Sequence, residues 1–181
     1  MNSSPQDGQA PREYLRSLIR DVPNFPTDGI LFKDITPLLR DAGAFHIAVE
    51  EFAKLGSNVD LVAGVEARGF IFAAAVAKLT GKGFVPIRKS GKLPSLSYSE
   101  NYSLEYGVSS LQIHQDAVQS GERVMLIDDV LATGGTLEAA SRLITRCGGI
   151  VDSLAVLIEI SGLEGRSRLA KADLEISVIL S

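Results

Sequence analysis

The 181-residue chain has no tryptophan, one cysteine and two histidines, and each shortage closes a class of function. The lone Cys147 cannot form an internal disulfide, which suits a reducing cytoplasm rather than a stapled secreted domain. Standing before Gly148 and Gly149, it reads as a packed thiol and not a nucleophile. His46 and His114 form no ligand cluster, so no zinc-type protein site is expected. No apolar run approaches the roughly 18 residues of a membrane-spanning helix. Met1 to Ala10 lacks the basic start and apolar centre of a signal peptide, and residues 1–11 read as a mobile tail. Basic charge is also short: 18 Lys and Arg against 22 Asp and Glu give a net charge of −4. That balance argues against nucleic acid or an anionic membrane as the main partner. No G-x-x-x-x-G-K-[ST] or G-x-S-x-G motif occurs, and no solenoid-length repeat.

With 45% apolar residues, the chain has enough length for one globular domain spanning residues 1–181. The organising stretch is Arg123-Val-Met-Leu-Ile-Asp-Asp-Val-Leu-Ala-Thr-Gly-Gly-Thr136. Val124 to Ile127 is a continuous apolar run, as expected of a strand buried on both faces of a parallel sheet. It ends in Asp128 and Asp129. Ala132, Thr133, Gly134, Gly135 and Thr136 then form a small, hydroxyl-bearing turn that opens a helix over Leu137 to Cys147. Such a turn gathers free backbone N–H groups at the positive end of a helix, the usual physics of phosphate binding. A helix cap with tight-turn glycines explains Thr133, Gly134 and Gly135 but leaves the two acids unexplained. Carboxylates fixed at a strand end are costly unless something binds them. A ligand with both a phosphate and a diol or metal-bearing part, such as a sugar phosphate, satisfies both halves.

This apolar strand, acid pair and Thr-Gly-Gly-Thr turn resemble the signature of the type I phosphoribosyltransferases, which bind 5-phosphoribosyl-1-pyrophosphate (PRPP). The resemblance runs from about Arg12 to Ile160. It implies an α/β fold, with a central, mostly parallel sheet flanked by helices and a small hood. It also implies Mg²⁺ bound with PRPP, carried by no direct protein ligand and reaching Asp128 or Asp129 through water. A homodimer is a further expectation of the family.

Elsewhere the pattern is consistent with that fold. An amphipathic helix is expected over Arg12 to Arg20 and a second over Ala42 to Leu55. Asp60 to Val65, the turn Glu66-Ala-Arg-Gly69, the apolar helix Phe70 to Leu79 and Phe84 to Arg88 read as one strand–turn–helix–strand unit. Open α/β sheets bind ligands at the carboxyl ends of their strands, so Arg68 becomes a candidate pyrophosphate contact. In the resembled family this turn is the pyrophosphate loop, with a strained peptide beside the arginine. Arg88-Lys-Ser-Gly-Lys92 holds three cations in five residues, and Lys89 and Lys92 join Arg68 as candidates against a polyanion.

Residues 23–39 are turn-rich yet apolar. Read from the residues, either Phe25 to Leu39 is a buried loop that covers one edge of the core, or Ile30 to Lys33 within it is a lid whose Phe32 stacks on a planar ligand while backbone near Lys33 reads its edge. The Phe-Lys-Asp-Ile-Thr-Pro run resembles the base-covering hood of the adenine-using branch of the family. Leu93 to Tyr106, with four serines and three tyrosines, shows little periodicity and reads as a flexible loop before a strand over Val108 to Gln115. Its Ser103-Leu-Glu-Tyr106 end resembles that branch's catalytic loop, which makes Glu105 the expected general acid/base. Ile150 to Ile160 is a long apolar strand, and Ile160 is either core or one wall of the base slot. Gly162 to Leu169 reads as a short helix, and Glu175 to Leu180 as an edge strand. The implied substrates are adenine and PRPP. Use of hypoxanthine, guanine or xanthine by the same motif, and a PRPP-sensing regulator without catalysis, are the rival readings.

Overall fold

The computed structural model describes residues 9–103 and 108–180. Nine strands and six helices form along these residues. Three strands set the frame: β3 (Leu61–Val65), β7 (Arg123–Leu131) and β8 (Ile150–Glu159). Their side chains divide by the two-residue period of a strand. Val62, Met125, Ile127, Ala155 and Leu157 face one apolar layer, while Ala63, Leu126, Val124, Leu154 and Val156 face the other. A strand buried on both faces has no polar side to alternate, which is why β7 reads as an unbroken run.

The first layer is covered by α1 (Gln9–Ser17), α2 (Thr36–Arg40), α3 (Ala42–Leu55) and α4 (Arg68–Thr80). The second is covered by α5 (Gly135–Arg146) and α6 (Gly165–Lys171). The seven-stranded sheet runs β5-β6-β4-β3-β7-β8-β9. β4 (Gly83–Lys89), β3, β7, β8 and β9 (Ser177–Leu180) are parallel, and β5 (Ser97–Ser103) and β6 (Val108–His114) add an antiparallel hairpin at one edge.

Three segments differ from expectation. α1 begins at Gln9 and ends at Ser17, so residues 9–11 belong to a helix and not to a tail, and Arg20 opens β1 (Arg20–Pro23). β1 pairs antiparallel with β2 (Leu31–Asp34), placing Val22 opposite Phe32, so the hood carries a two-stranded sheet where the sequence suggested only a loop. Within Leu93 to Tyr106, residues 97–103 form β5. Its period is two after all, with Tyr98, Glu100 and Tyr102 less exposed than Ser99 and Asn101. The pattern is hidden because a carboxylate holds one inward position, where Glu100 meets Arg142 of α5 at 3.2 Å.

Candidate functional site

β3 and β7 lie side by side in parallel, Gly64 opposite Ile127, so the turn after β3 and the acids of β7 reach the same edge of the sheet. Asp128 and Asp129 are buried there. Asp128 Oδ1 accepts the Asp129 N–H at 2.9 Å. Burial, and then the neighbouring Asp129 charge, push the Asp128 carboxyl well above the ordinary carboxylate value. Burial raises Asp129 as well, opposed by Arg68. Asp129 Oδ2 lies 2.9 Å from Arg68 Nε but makes no aligned hydrogen bond to any described residue. The ion pair is therefore one of proximity, and the oxygen keeps an unused lone pair inside the protein, which is costly without a ligand.

Gly69, in the first turn of α4, permits this closeness. A Cβ there would stand 2.8 Å from Ile127 O and 2.9 Å from Asp128 Oδ1, so any side chain would push the helix off the acids. The Glu66–Ala67 peptide just before Arg68 is cis. Glu66 itself was not a candidate from sequence. Its carboxylate takes Arg88 Nε at 3.1 Å and the Lys89 N–H at 3.1 Å. Burial works against its charge, but the Arg88 and Lys89 contacts prevail and its pKa falls below the ordinary value. The signal that could have found it is the pairing of an acid with the Arg88 run on a neighbouring strand end.

The turn Ala132 to Gly134 joins β7 to α5. Gly134 caps the helix with φ +78°, a left-handed conformation that suits glycine, and offers no side chain to the N–H groups of the first turn. Asp128, Ala132, Thr133, Gly134 and Thr136 line one cavity of about 400 Å³. Its apolar wall comes from Pro26 and Ile30 of the hood and from Val130, Leu131 and Leu137. Gly135 is buried beneath the turn. Sequence reasoning placed Pro26 in the hood and Ile30 in its lid but missed Val130, Leu131 and Leu137 as cavity residues; the first two of these stand inside the motif, between the acids and the turn. A depression of about 490 Å³ beside α6, lined by Arg166, Ala170 and Asp173, holds none of these groups.

Arg68 ties the hood to the acids. Its Nη1 donates to Lys33 O at 3.2 Å, and its guanidinium carbon lies 4.8 Å from the centre of the Phe32 ring. Phe25 meets Phe32 edge-on at 5.1 Å, and Lys33 Nζ reaches Asp21 at 2.6 Å. Phe32 and Lys33 thus join the site through Arg68. The Ile160 N–H donates to Leu131 O at 2.8 Å, which fixes it beside the end of β7, although its side chain does not line the cavity. Lys89 and Lys92 are exposed and form no ion pair among the described residues; Arg88 Nη1 donates to Lys92 O at 3.0 Å. Glu105 lies outside the described residues. Among the described residues no group of three or more His, Cys, Asp and Glu could hold a metal by itself.

Residues 37–178 match the phosphoribosyl transferase domain family. The chain is 54% identical over 158 residues to the adenine phosphoribosyltransferase of Thermobifida fusca, covering 86% of this chain and 90% of that one. A crystal structure of adenine phosphoribosyltransferase from Thermoanaerobacter pseudethanolicus superposes with a TM-score of 0.89 at 49% identity, covering 93% of this chain and 98% of that one. The Saccharomyces cerevisiae adenine phosphoribosyltransferase, solved with an imino-altritol bisphosphate and adenine, gives 0.89 at 33% identity, covering 95% and 99%.

Proposed function

The chain belongs to the phosphoribosyl transferase family, and from that membership we infer that it moves the 5-phosphoribosyl group of PRPP onto adenine, releasing AMP and pyrophosphate, a purine-salvage reaction. The observation that carries the reading is one cavity with a phosphate-type turn and a buried acid at one side and an apolar hood at the other.

The residues divide the work by chemistry. Backbone N–H groups of Ala132 to Thr136, with the Thr133 and Thr136 hydroxyls, take the 5-phosphate. Asp128 and Asp129 accept hydrogen bonds from the ribose 2- and 3-hydroxyls. Arg68, about a third exposed, turns from Asp129 toward the pyrophosphate, with Lys89 and Lys92 at the rim. Phe32, backbone near Lys33, and Ile160 enclose the base beneath the hood, residues 23–39. As pyrophosphate leaves, positive charge grows at the anomeric carbon, so the site must stabilise charge and exclude water. The connection that follows β5 supplies that exclusion by closing over the site, and Glu105 within it handles the adenine proton at N7 or N9.

Oxygen-only donors such as Asp128 and Asp129, with Asp129 Oδ2 unsatisfied, suit Mg²⁺, which would be held through water and by PRPP's own oxygens. When bound, it supplies charge neutralisation at the pyrophosphate. Incubation with PRPP, Mg²⁺ and each purine base in turn is expected to give a nucleotide product with adenine alone. Turnover of hypoxanthine, guanine or xanthine in its place would reject the adenine assignment.

We also propose a homodimer. No described helix is long and apolar enough to cross a membrane, yet α4 exposes Ile71 and Leu79, and Phe84 of β4 is exposed and packs edge-on against Phe70 at 5.6 Å. Apolar groups left outward in this way suit a second copy of the chain. Sedimentation velocity should give twice the 19.3 kDa chain mass, and the Ile71→Glu/Phe84→Glu double variant should sediment as a monomer. The compartment proposed is the cytoplasm, where a single thiol stays reduced.

A further inference from the structure

α6 is a seven-residue helix outside the sequence motifs, yet it is tethered on three sides. Arg166 Nη2 pairs with Glu159 at the end of β8 at 2.7 Å, and its Nη1 donates to Ile176 O at 3.2 Å. Arg168 Nε donates to Glu138, in the first turn of α5, at 2.5 Å. Leu169 is fully buried. The point thus held in place is Gly165, whose backbone presses on the phosphate-type turn. A Cβ on Gly165 would stand 2.1 Å from Ala132 O, and a Cβ on Gly134 would stand 2.9 Å from Gly165 O. Gly165 has no positive φ, so it is the approach of the two backbones, and not the local conformation, that calls for glycine here.

The contact has a direction. Ala132 C=O points at Gly165, and in a trans peptide the following N–H points the opposite way. The Thr133 N–H therefore points away from α6. No residue of α6 lines the cavity, whereas Ala132, Thr133, Gly134 and Thr136 do. The side of the turn opposite α6 is the side that faces the ligand space.

We propose that α6 is a positioning element for the 5-phosphate, with Gly165 as the positioning residue that fixes the aim of the Thr133 N–H. This rests on the phosphoribosyl-transfer reading given above and extends it to a part of the chain that touches no substrate. The Arg168 tether is itself held in place: the Glu138 carboxylate, in the first turn of α5, is clamped between Arg142 and Arg168, both at 2.5 Å.

Calorimetry on the full-length protein separates this role from general support, with PRPP plus Mg²⁺ as one titrant and pyrophosphate plus Mg²⁺ as the other. In Gly165→Ala the PRPP dissociation constant is expected to rise roughly tenfold or more, the size of one or two charge-assisted hydrogen bonds lost. Pyrophosphate, which makes no use of the turn, should bind as in the wild type. Arg168→Ala should show the same selective loss in weaker form and Arg168→Lys should restore binding, which keeps the test open if Gly165→Ala does not fold. Unchanged PRPP binding in Gly165→Ala and Arg168→Ala, or parallel losses for both titrants, would overturn the proposal. A wild-type protein that takes up no PRPP would instead overturn the transferase reading beneath it.

Discussion

The Asp128→Asn/Asp129→Asn variant is expected to bind PRPP roughly 10²–10⁴-fold more weakly than the wild type, since each lost hydrogen bond to a charged group is worth about 1.5–3 kcal/mol. The same variant is expected to melt at a higher temperature than the ligand-free wild type. The two outcomes share one cause. Both carboxyls are buried, both are displaced upward from the ordinary carboxylate value by that burial, and Asp129 Oδ2 has no aligned partner. A charge that the fold disfavours is a cost to stability that only a ligand offsets. Replacement by a neutral isostere removes the cost together with the binding. Gly69 supports this division, because it brings α4 against the acids without contributing a polar group of its own. Thermal melts and PRPP titrations on the same samples check both halves. Undiminished PRPP binding would remove the acids from the site.

The sign of the pH dependence follows from the direction of the shifts. A carboxyl whose folded pKa lies above its unfolded one binds its proton more tightly in the folded state. Its contribution to stability is therefore complete below the unfolded value of 3.8 and is lost as pH rises through the raised folded value. The melting-temperature gain of the Asn variant over the wild type should be smallest in acid and should grow toward neutral pH. Melts across that range, with the two proteins in parallel, cancel the other titrating groups.

What was legible in the sequence is what local rules control. β7 and its turn could be read because a doubly buried strand, an acid pair and a glycine-rich helix start each leave a contiguous mark between Val124 and Thr136. The hood was legible as a segment but not as a sheet, because β1 offers Arg20, Asp21, Val22 and Pro23, four residues with one aliphatic side chain and no period to detect. Its order comes from β2 across a turn, a non-local pairing. β5 was hidden by Glu100, whose inward placement is tolerable only because Arg142 arrives from a helix 42 residues further along. Arg68 could be chosen by its place after a strand. That it would hold Asp129, Lys33 O and the Phe32 ring together could not be read, because those partners come from two segments, β2 and β7, far from Arg68 in the chain. For the same reason the hood could be read as a cover, but not that Pro26 and Ile30 would face the turn after β7, which lies far along the chain.

Glu105→Gln is expected to lower kcat by about 10²–10⁴-fold, the usual contribution of a positioned general acid or base. The binding of PRPP should be nearly unaffected, because the phosphate turn and the acid pair stand on other elements. Glu105 belongs to the connection between β5 and β6, whose flanking residues Ser103 and Val108 are paired across the hairpin. The β5 arm of that hairpin is fastened to α5, by Glu100 to Arg142 at 3.2 Å and by Arg146 over the Tyr98 ring at 4.6 Å. α5 is also the helix that the phosphate turn opens. The hairpin and the turn are thereby built on one element, so a group delivered from the hairpin tip has a fixed base from which to reach a ribose held at the turn. A glutamine keeps the size and hydrogen-bonding reach of the glutamate but cannot exchange a proton at neutral pH. The loss should therefore fall on kcat and leave the KM for PRPP close to that of the wild type. The pH–rate profile should lose the limb that belongs to this carboxyl. Steady-state kinetics with adenine and PRPP check the split. A kcat equal to the wild type would take the proton-transfer role away from Glu105, and a rise in KM alone would make it a binding group.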